Sequence, residues 1–263
     1  APIVVIDAIS GRGLTELVAE IQEMAASLPG ETARGTGRLN VDRSFSIKGF
    51  GTIVTGTLID GPMTNGGEVW LYPGGRRLRI RNMQVHDRDV WQAEPPQRTA
   101  LNLAVISSGA IHRGDVLCTA AATRMIDAKV TCLADAEPLF LWQRMRLLVG
   151  TREVMARIVP LGAEQIAPGT DGFLQLRLEA DEIYVKAGDR FILRTFSPMH
   201  TVAGGEILDA HPKKHRRFKD DVVTSLEARD AGLIDDVVAG FLRLRQVPFT
   251  QAGVIAGAVD LPL

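Results

Sequence analysis

The 263-residue sequence predicts a mainly β fold: two consecutive antiparallel β-barrels, preceded by a strand-helix piece and followed by a partial α-helical module. Three observations carry this reading. Short β-branched stretches alternating with period two run from Gly37 almost to Ala210, and Gly, Pro and Asn turns separate them at intervals too short for crossover helices. Apolar residues at three-to-four spacing occur only near the two ends.

Ile3 to Ile6 is a continuous apolar run of the kind that fills a central parallel strand, and Ser10-Gly11-Arg12-Gly13 turns it into a helical pattern of Leu14, Leu17, Val18, Ile21 and Met24. That helix stops at Pro29-Gly30. One strand-helix unit cannot bury both faces of its strand, so residues 1–34 read as the end of a larger α/β domain. The first barrel is expected over residues 37–121. Its strands are Arg38 to Ile47, Thr52 to Ile59, Glu68 to Tyr72, Leu78 to Val85, Ala100 to Ile106 and a closing Gly114 to Cys118. The second, over residues 125–208, draws on Ala128 to Leu133, Arg144 to Val149, Arg152 to Pro160, Gly172 to Leu178 and Arg190 to Thr195. After Ala210 the chemistry changes to His-Pro-Lys-Lys-His-Arg-Arg-Phe-Lys, and helical patterns follow at Asp220 to Ala231 and Ile234 to Gln246. Residues 213–263, ending in Pro248 and a short helix-like stretch, read as a linker and the start of a further module. Both ends read as cut, which implies a piece of a longer protein.

Thirty basic against 31 acidic side chains leave a net charge of -1, so attraction to nucleic acid must come from local clusters. No apolar run approaches the roughly 18 residues that span a bilayer and the start has no basic n-region, so the chain reads as cytoplasmic, without a membrane partner. Cys118 and Cys132 are too few for a disulfide framework, and His86, His112, His200, His211 and His215 show no metal-ligand spacing.

The most informative stretch is Leu39 to Leu58, with Lys48-Gly49-Phe50-Gly51-Thr52-Ile53-Val54-Thr55-Gly56-Thr57 at its centre: two alternating strands flanking a glycine-bearing turn. It resembles the start of domain 2 in translational GTPases of the elongation factor Tu superfamily, and its wording is most similar to the selenocysteine-specific, SelB-type factors. The resemblance continues through Gln97 to Ala104, Arg113 to Leu117, Val149 to Arg157, Gly188 to Pro198 and Gly204 to Pro212. It identifies the barrels with domains 2 and 3 of that family and the terminal helices with the first of its winged-helix modules. Ala8 to Leu14 resembles the last guanine-contacting motif of the GTPase domain, with Asp7 in place of the usual Ser and Ala8 supplying a backbone amide. No G-x-x-x-x-G-K-[ST] occurs, so GTP and Mg²⁺ are expected of the full-length parent, not of this chain alone.

The resemblance further implies a selenocysteinyl-tRNA partner, the ribosome, and an mRNA hairpin met only through modules absent from these residues. The arginines associated with the aminoacyl pocket of the selenocysteine factors fall on Arg43 and Arg98, and Phe45 and Thr55 resemble its walls. A selenol is more acidic than a thiol and is largely anionic at neutral pH, so two permanent cations can tell it from a neutral serine hydroxyl. The competing reading makes Arg43 and Arg98 surface residues paired with carboxylates such as Asp42, and Phe45 a core residue. In the second barrel Arg152, Arg157, Arg190 and Arg194 are candidates for tRNA backbone contacts, as are Lys213, Lys214, Arg216 and Arg217 in the cluster ending at Lys219. Other readings are a general aminoacyl-tRNA factor, the GTPase subunit of an ATP sulfurylase, or a winged-helix regulator with a barrel sensor. Arg43, Arg98 and the helices beyond Pro212 favour the selenocysteine factor.

Overall fold

The computed structural model describes residues 3–27, 36–180 and 182–245. The chain divides into a small unit, 1–33, and a large one, 34–263.

In the small unit the helix α1 (Leu14–Ser27) forms as expected, but Ile3 to Asp7 is extended without strand pairing. A strand is defined by a hydrogen-bonded neighbour, and none is present among the described residues. None of the α1 residues is buried, and Val18, Ile21 and Met24 are exposed.

The large unit opens with six strands: β1 (Gly37–Ile47), β2 (Gly51–Asp60), β3 (Glu68–Tyr72), β4 (Arg76–Val85), β5 (Gln97–Leu103) and β6 (Val116–Cys118). They pair in the order β3-β6-β1-β2-β5-β4, and β4 returns to β3 to close the ring. Alternation sends Leu39, Val41, Val54, Leu58, Leu101 and Leu103 inward as a buried core. The β1–β2 turn carries Gly49 and Gly51 at φ +87° and +94°, a conformation that disfavours any side chain.

Six further strands form the second barrel: β7 (Met125–Cys132), β8 (Arg144–Val149), β9 (Arg152–Leu161), β10 (Asp171–Leu178), β11 (Arg190–Thr195) and β12 (Thr201–Asp209), closed in the order β7-β10-β9-β8-β11-β12. Two antiparallel barrels are the architecture the patterning predicts, and each closes with six strands. Several bounds move by a few residues, and two departures have a local cause. The expected Ala100–Ile106 strand is instead Gln97–Leu103, because Val105 adopts φ +55° and leaves the ladder. Thr201–Asp209 is a full strand that the Gly204-Gly205 pair conceals in the sequence.

The barrels meet through buried charge. Arg38, only 5% exposed, donates to both carboxylate oxygens of Asp189 at 2.5 and 2.7 Å and pairs with Asp60 at 2.8 Å. Lys186 reaches Asp60 at 2.5 Å and Tyr184 stacks under Arg38. Helices α2 (Asp220–Asp230) and α3 (Ile234–Arg245) follow. Val222 and Leu226 of α2 pack on Val159, Leu161 and Leu208 of the second barrel. The Pro248 stretch lies outside the described residues.

Candidate functional site

The outer face of the first barrel holds the residues that the sequence singles out there. Registry aligns two rows across four strands: Arg43, Thr55, Ala100 and Gln84, then Phe45, Ile53, Asn102 and Asn82. Alternation keeps both rows outward, and all of them except Arg43 line an open groove of about 400 Å³ with Ile47, Phe50, Asp87 and Asp89; Arg43 lies one register position outside it, opposite Thr55. Phe45 is 41% exposed and Phe50 66% exposed, so Phe45 is a wall of this groove and not a core residue. At the far rim Asp89 accepts hydrogen bonds from Asn82 and Gln84, which hold its carboxyl below the usual range.

The near rim is charged. The β1–β2 register steps from Val41 opposite Gly56 to Arg43 opposite Thr55, leaving Asp42 as a bulge residue. A bulge lets two successive side chains serve one face. Asp42 accepts from Thr55 Oγ1 at 2.7 Å and from Arg98 at 2.6 and 3.2 Å. Partial burial pushes the Asp42 carboxyl up, but the bonds from Thr55 and Arg98 outweigh it and hold it below its ordinary value. Arg98 is therefore neutralised by a forked pair. Arg43 is exposed, and no described residue hydrogen-bonds or ion-pairs with its guanidinium. Two cations against one carboxylate leave the rim with a net +1.

The second-barrel arginines separate into two groups. Arg152 pairs with Asp115 at 2.9 Å at the junction of the barrels. Arg157 pairs with Glu179 at 2.8 Å and donates to the Trp142 carbonyl. Arg194 lies opposite Arg146 on the outer face, where Arg144 and Arg146 stack over Phe196 at 4.6 and 5.2 Å, and Arg190 is exposed at the start of the same strand.

The basic segment after Pro212 is anchored, not a solvated hinge. His215 Nε2 lies 2.6 Å from Asp127, whose other oxygen accepts from Gln175 at 2.9 Å, and Gln175 also donates to the Lys213 carbonyl. Burial pushes the Asp127 carboxyl up, opposed by the bonds from His215 and Gln175. Arg217 donates to the carbonyls of Ala163 and Glu164, which removes it from the proposed RNA cluster. Lys213, Lys214 and Arg216 remain exposed, beside a cleft of about 250 Å³ between the barrel and α2.

Residues 126–214 match the family described as selenocysteine-specific elongation factor, β-barrel domain. Over 248 residues the sequence is 36% identical to the selenocysteine-specific elongation factor of Desulfomicrobium baculatum, covering 93% of this chain and 39% of that protein. The second barrel belongs to the selenocysteine-specific elongation factor family, and the similarity to such factors runs along 93% of the chain. The factor of Escherichia coli is 27% identical over 81% of this chain and 33% of its own length, so the chain spans well under half of either relative. The fold is shared with a bacterial selenocysteine-specific factor, EF-Sec (TM-score 0.71, 22% identity, 89% of this chain and 38% of that one). It is shared too with the apo SelB factor of Methanococcus maripaludis (TM-score 0.65, 23% identity, 79% and 49%).

Within this SelB-type chain, the Asp7 turn, expected from resemblance to contact guanine, is closed on itself. The Asp7 carboxylate is spent on its own turn, accepting from Ile9 N at 3.0 Å and Ser10 Oγ at 2.6 Å, bonds that lower its pKa. Ala8 is exposed in that turn, and no phosphate-cradling motif occurs in the sequence. Sequence reading weighs Asp42 only as an ion-pair partner and overlooks Asn82, Gln84, Asp89 and Asn102. Asp42 was visible in the charged Asp42-Arg43 pair breaking an alternating strand, whereas the others are united only by the β4–β5 register.

Proposed function

We propose that this SelB-type chain is the barrel region of a cytoplasmic, GTP-dependent factor that carries selenocysteinyl-tRNA to the ribosome. The first barrel's outer groove holds the aminoacyl end. GTP and Mg²⁺ belong to the phosphate cradle of the full-length protein. The proposed organisation is a GTPase-domain end over 1–34, barrels over 37–121 and 125–208, and a winged-helix start within 213–263.

The observation that carries the reading is Arg43, exposed and without a hydrogen bond beside the closed Asp42–Arg98 pair, next in register to Thr55 of the groove. Phe45, Ile47 and Phe50 supply surface for an apolar or stacked group. Asp42 holds Arg98 in place, and Arg43 supplies the charge that a selenolate would meet. A hydroxyl in the same position brings no negative charge to the guanidinium, and the ion pair it forgoes is of the order of one charge-assisted bond, about 1.5–3 kcal/mol, or roughly tenfold to a hundredfold. Arg190, Arg194, Lys213, Lys214 and Arg216 remain as cations for the RNA backbone; Arg152 and Arg217 do not.

In the full-length protein, Arg43→Ala should weaken selenocysteinyl-tRNA binding by about tenfold or more while leaving seryl-tRNA nearly unchanged. Arg98→Ala should lower both, because it also leaves Asp42 unpaired. Equal losses for the two tRNAs in Arg43→Ala would contradict the assignment.

A further inference from the structure

The first barrel carries a second charged surface that the groove does not use. Strand β4 begins Arg76-Arg77-Leu78-Arg79-Ile80-Arg81. Leu78 and Ile80 are buried in the barrel core, and all four arginines are exposed. Arg77 and Arg79 recur on one face about 6.7 Å apart, and Arg81 follows them at an irregular step of the β4–β5 register where it stays exposed. The facing strand places Trp70 opposite Arg77 and Glu68 opposite Arg79, so Glu68 is the carboxylate that the pairing brings to them. Arg77 takes Glu68 in an ion pair and lies over the Trp70 ring at 5.9 Å. Among the described residues, nothing pairs with the guanidiniums of Arg79 and Arg81.

A second, independent feature lies at the same edge. Val105, β-branched and 82% exposed, sits at φ +55°, an outlier for such a residue, and its carbonyl accepts from Arg76 Nη2 at 2.8 Å. Strain of this kind persists where the surroundings fix a position for use, and here it fixes a guanidinium at the end of the row.

We propose that Arg77, Arg79 and Arg81, with Arg76 exposed at the head of the strand, form a phosphate-tracking surface that binds an RNA sugar-phosphate backbone, separate from the aminoacyl groove. Guanidinium forks match phosphate oxygens bidentately, and a row of cations suits a polymer with a row of anions. The row carries no group placed to read bases, so it positions RNA without selecting sequence. The inference rests on the preceding reading only for its choice of RNA sources, the tRNA body or ribosomal RNA.

The test uses the full-length protein with Arg79→Glu/Arg81→Glu and with Arg79→Lys/Arg81→Lys, measured in two arms: deacylated tRNA, and purified ribosomes without tRNA. Both positions are exposed, so thermal stability should stay near wild type. The Glu pair should weaken one arm about tenfold and lower the slope of log affinity against log salt by about 1.4–1.8, two phosphates' worth. The Lys pair should keep most of the slope. Loss in the tRNA arm assigns the surface to the tRNA body, and loss in the ribosome arm assigns it to ribosomal RNA. Unchanged affinity and slope in both arms would overturn the proposal, whatever Arg43→Ala does to aminoacyl selectivity.

Discussion

Arg43 and Arg98 look alike in the sequence and differ in what surrounds them. Arg98 is locked to Asp42 by two bonds, and Arg43 is left as the open charge. That difference depends on one inserted residue in β1, which periodicity cannot place. Asp42 also gives a pH prediction. Its carboxyl is held below its ordinary value near 3.9, so the bonds it makes contribute above that value and are lost as pH falls through the lowered folded value. An NMR titration of labelled carboxyls should find its midpoint below about 3.9; a midpoint above that would mean the pair with Arg98 is not formed. The cysteines are simpler. Both are buried and free, and burial raises the Cys118 thiol to about 11. Neither should react with an aromatic disulfide reagent at pH 8 until the protein unfolds, and rapid modification of the native protein would contradict their placement.

Most elements were legible because short alternating strands between Gly and Pro turns leave few alternatives. Glu68–Tyr72, Arg144–Val149 and Arg190–Thr195 are found with the bounds read from the sequence. The failures have local causes. Ile3 to Ile6 has a strand's composition without a described partner, and Val105 ends β5 through a backbone conformation its residue type disfavours. Thr201–Asp209 is masked by Gly204-Gly205, residues usually read as a turn. Gly205 is needed there for closeness: a Cβ would lie 2.1 Å from the Lys129 carbonyl oxygen and 2.7 Å from the Phe191 ring. Gly205→Val should therefore separate β12 from β7 and cost at least the ~1–3 kcal/mol typical of overpacking. Urea unfolding that shows wild-type stability would contradict this closure of the second barrel.

Across the whole molecule, a net charge of -1 conceals a segregated distribution. Acidic and basic groups cancel at the barrel junction, while the groove rim, the β4 row and Lys213 to Arg216 keep uncompensated cations. The junction itself was not readable from sequence, since Arg38, Asp60 and Asp189 lie far apart along the chain and meet only after both barrels close. Removing Arg38 leaves Asp189 without its ion-pair partner and Asp60 with Lys186 alone, a cost of about 3–5 kcal/mol for breaking a buried pair. Arg38→Met should split barrel unfolding into two calorimetric transitions, whereas a single transition at wild-type temperature would show the junction to be dispensable.

The central claim, that Arg43 reads negative charge on the aminoacyl side chain, is tested most directly with the same tRNA charged with cysteine. A cysteine thiol ionises near pH 8.5, so its charge can be switched on within one experiment. In the full-length protein, raising the pH from 7 to 9.5 should strengthen cysteinyl-tRNA binding relative to seryl-tRNA by about tenfold, and Arg43→Ala should abolish that gain. A gain that survives in Arg43→Ala, or no gain in the wild type, would contradict the account.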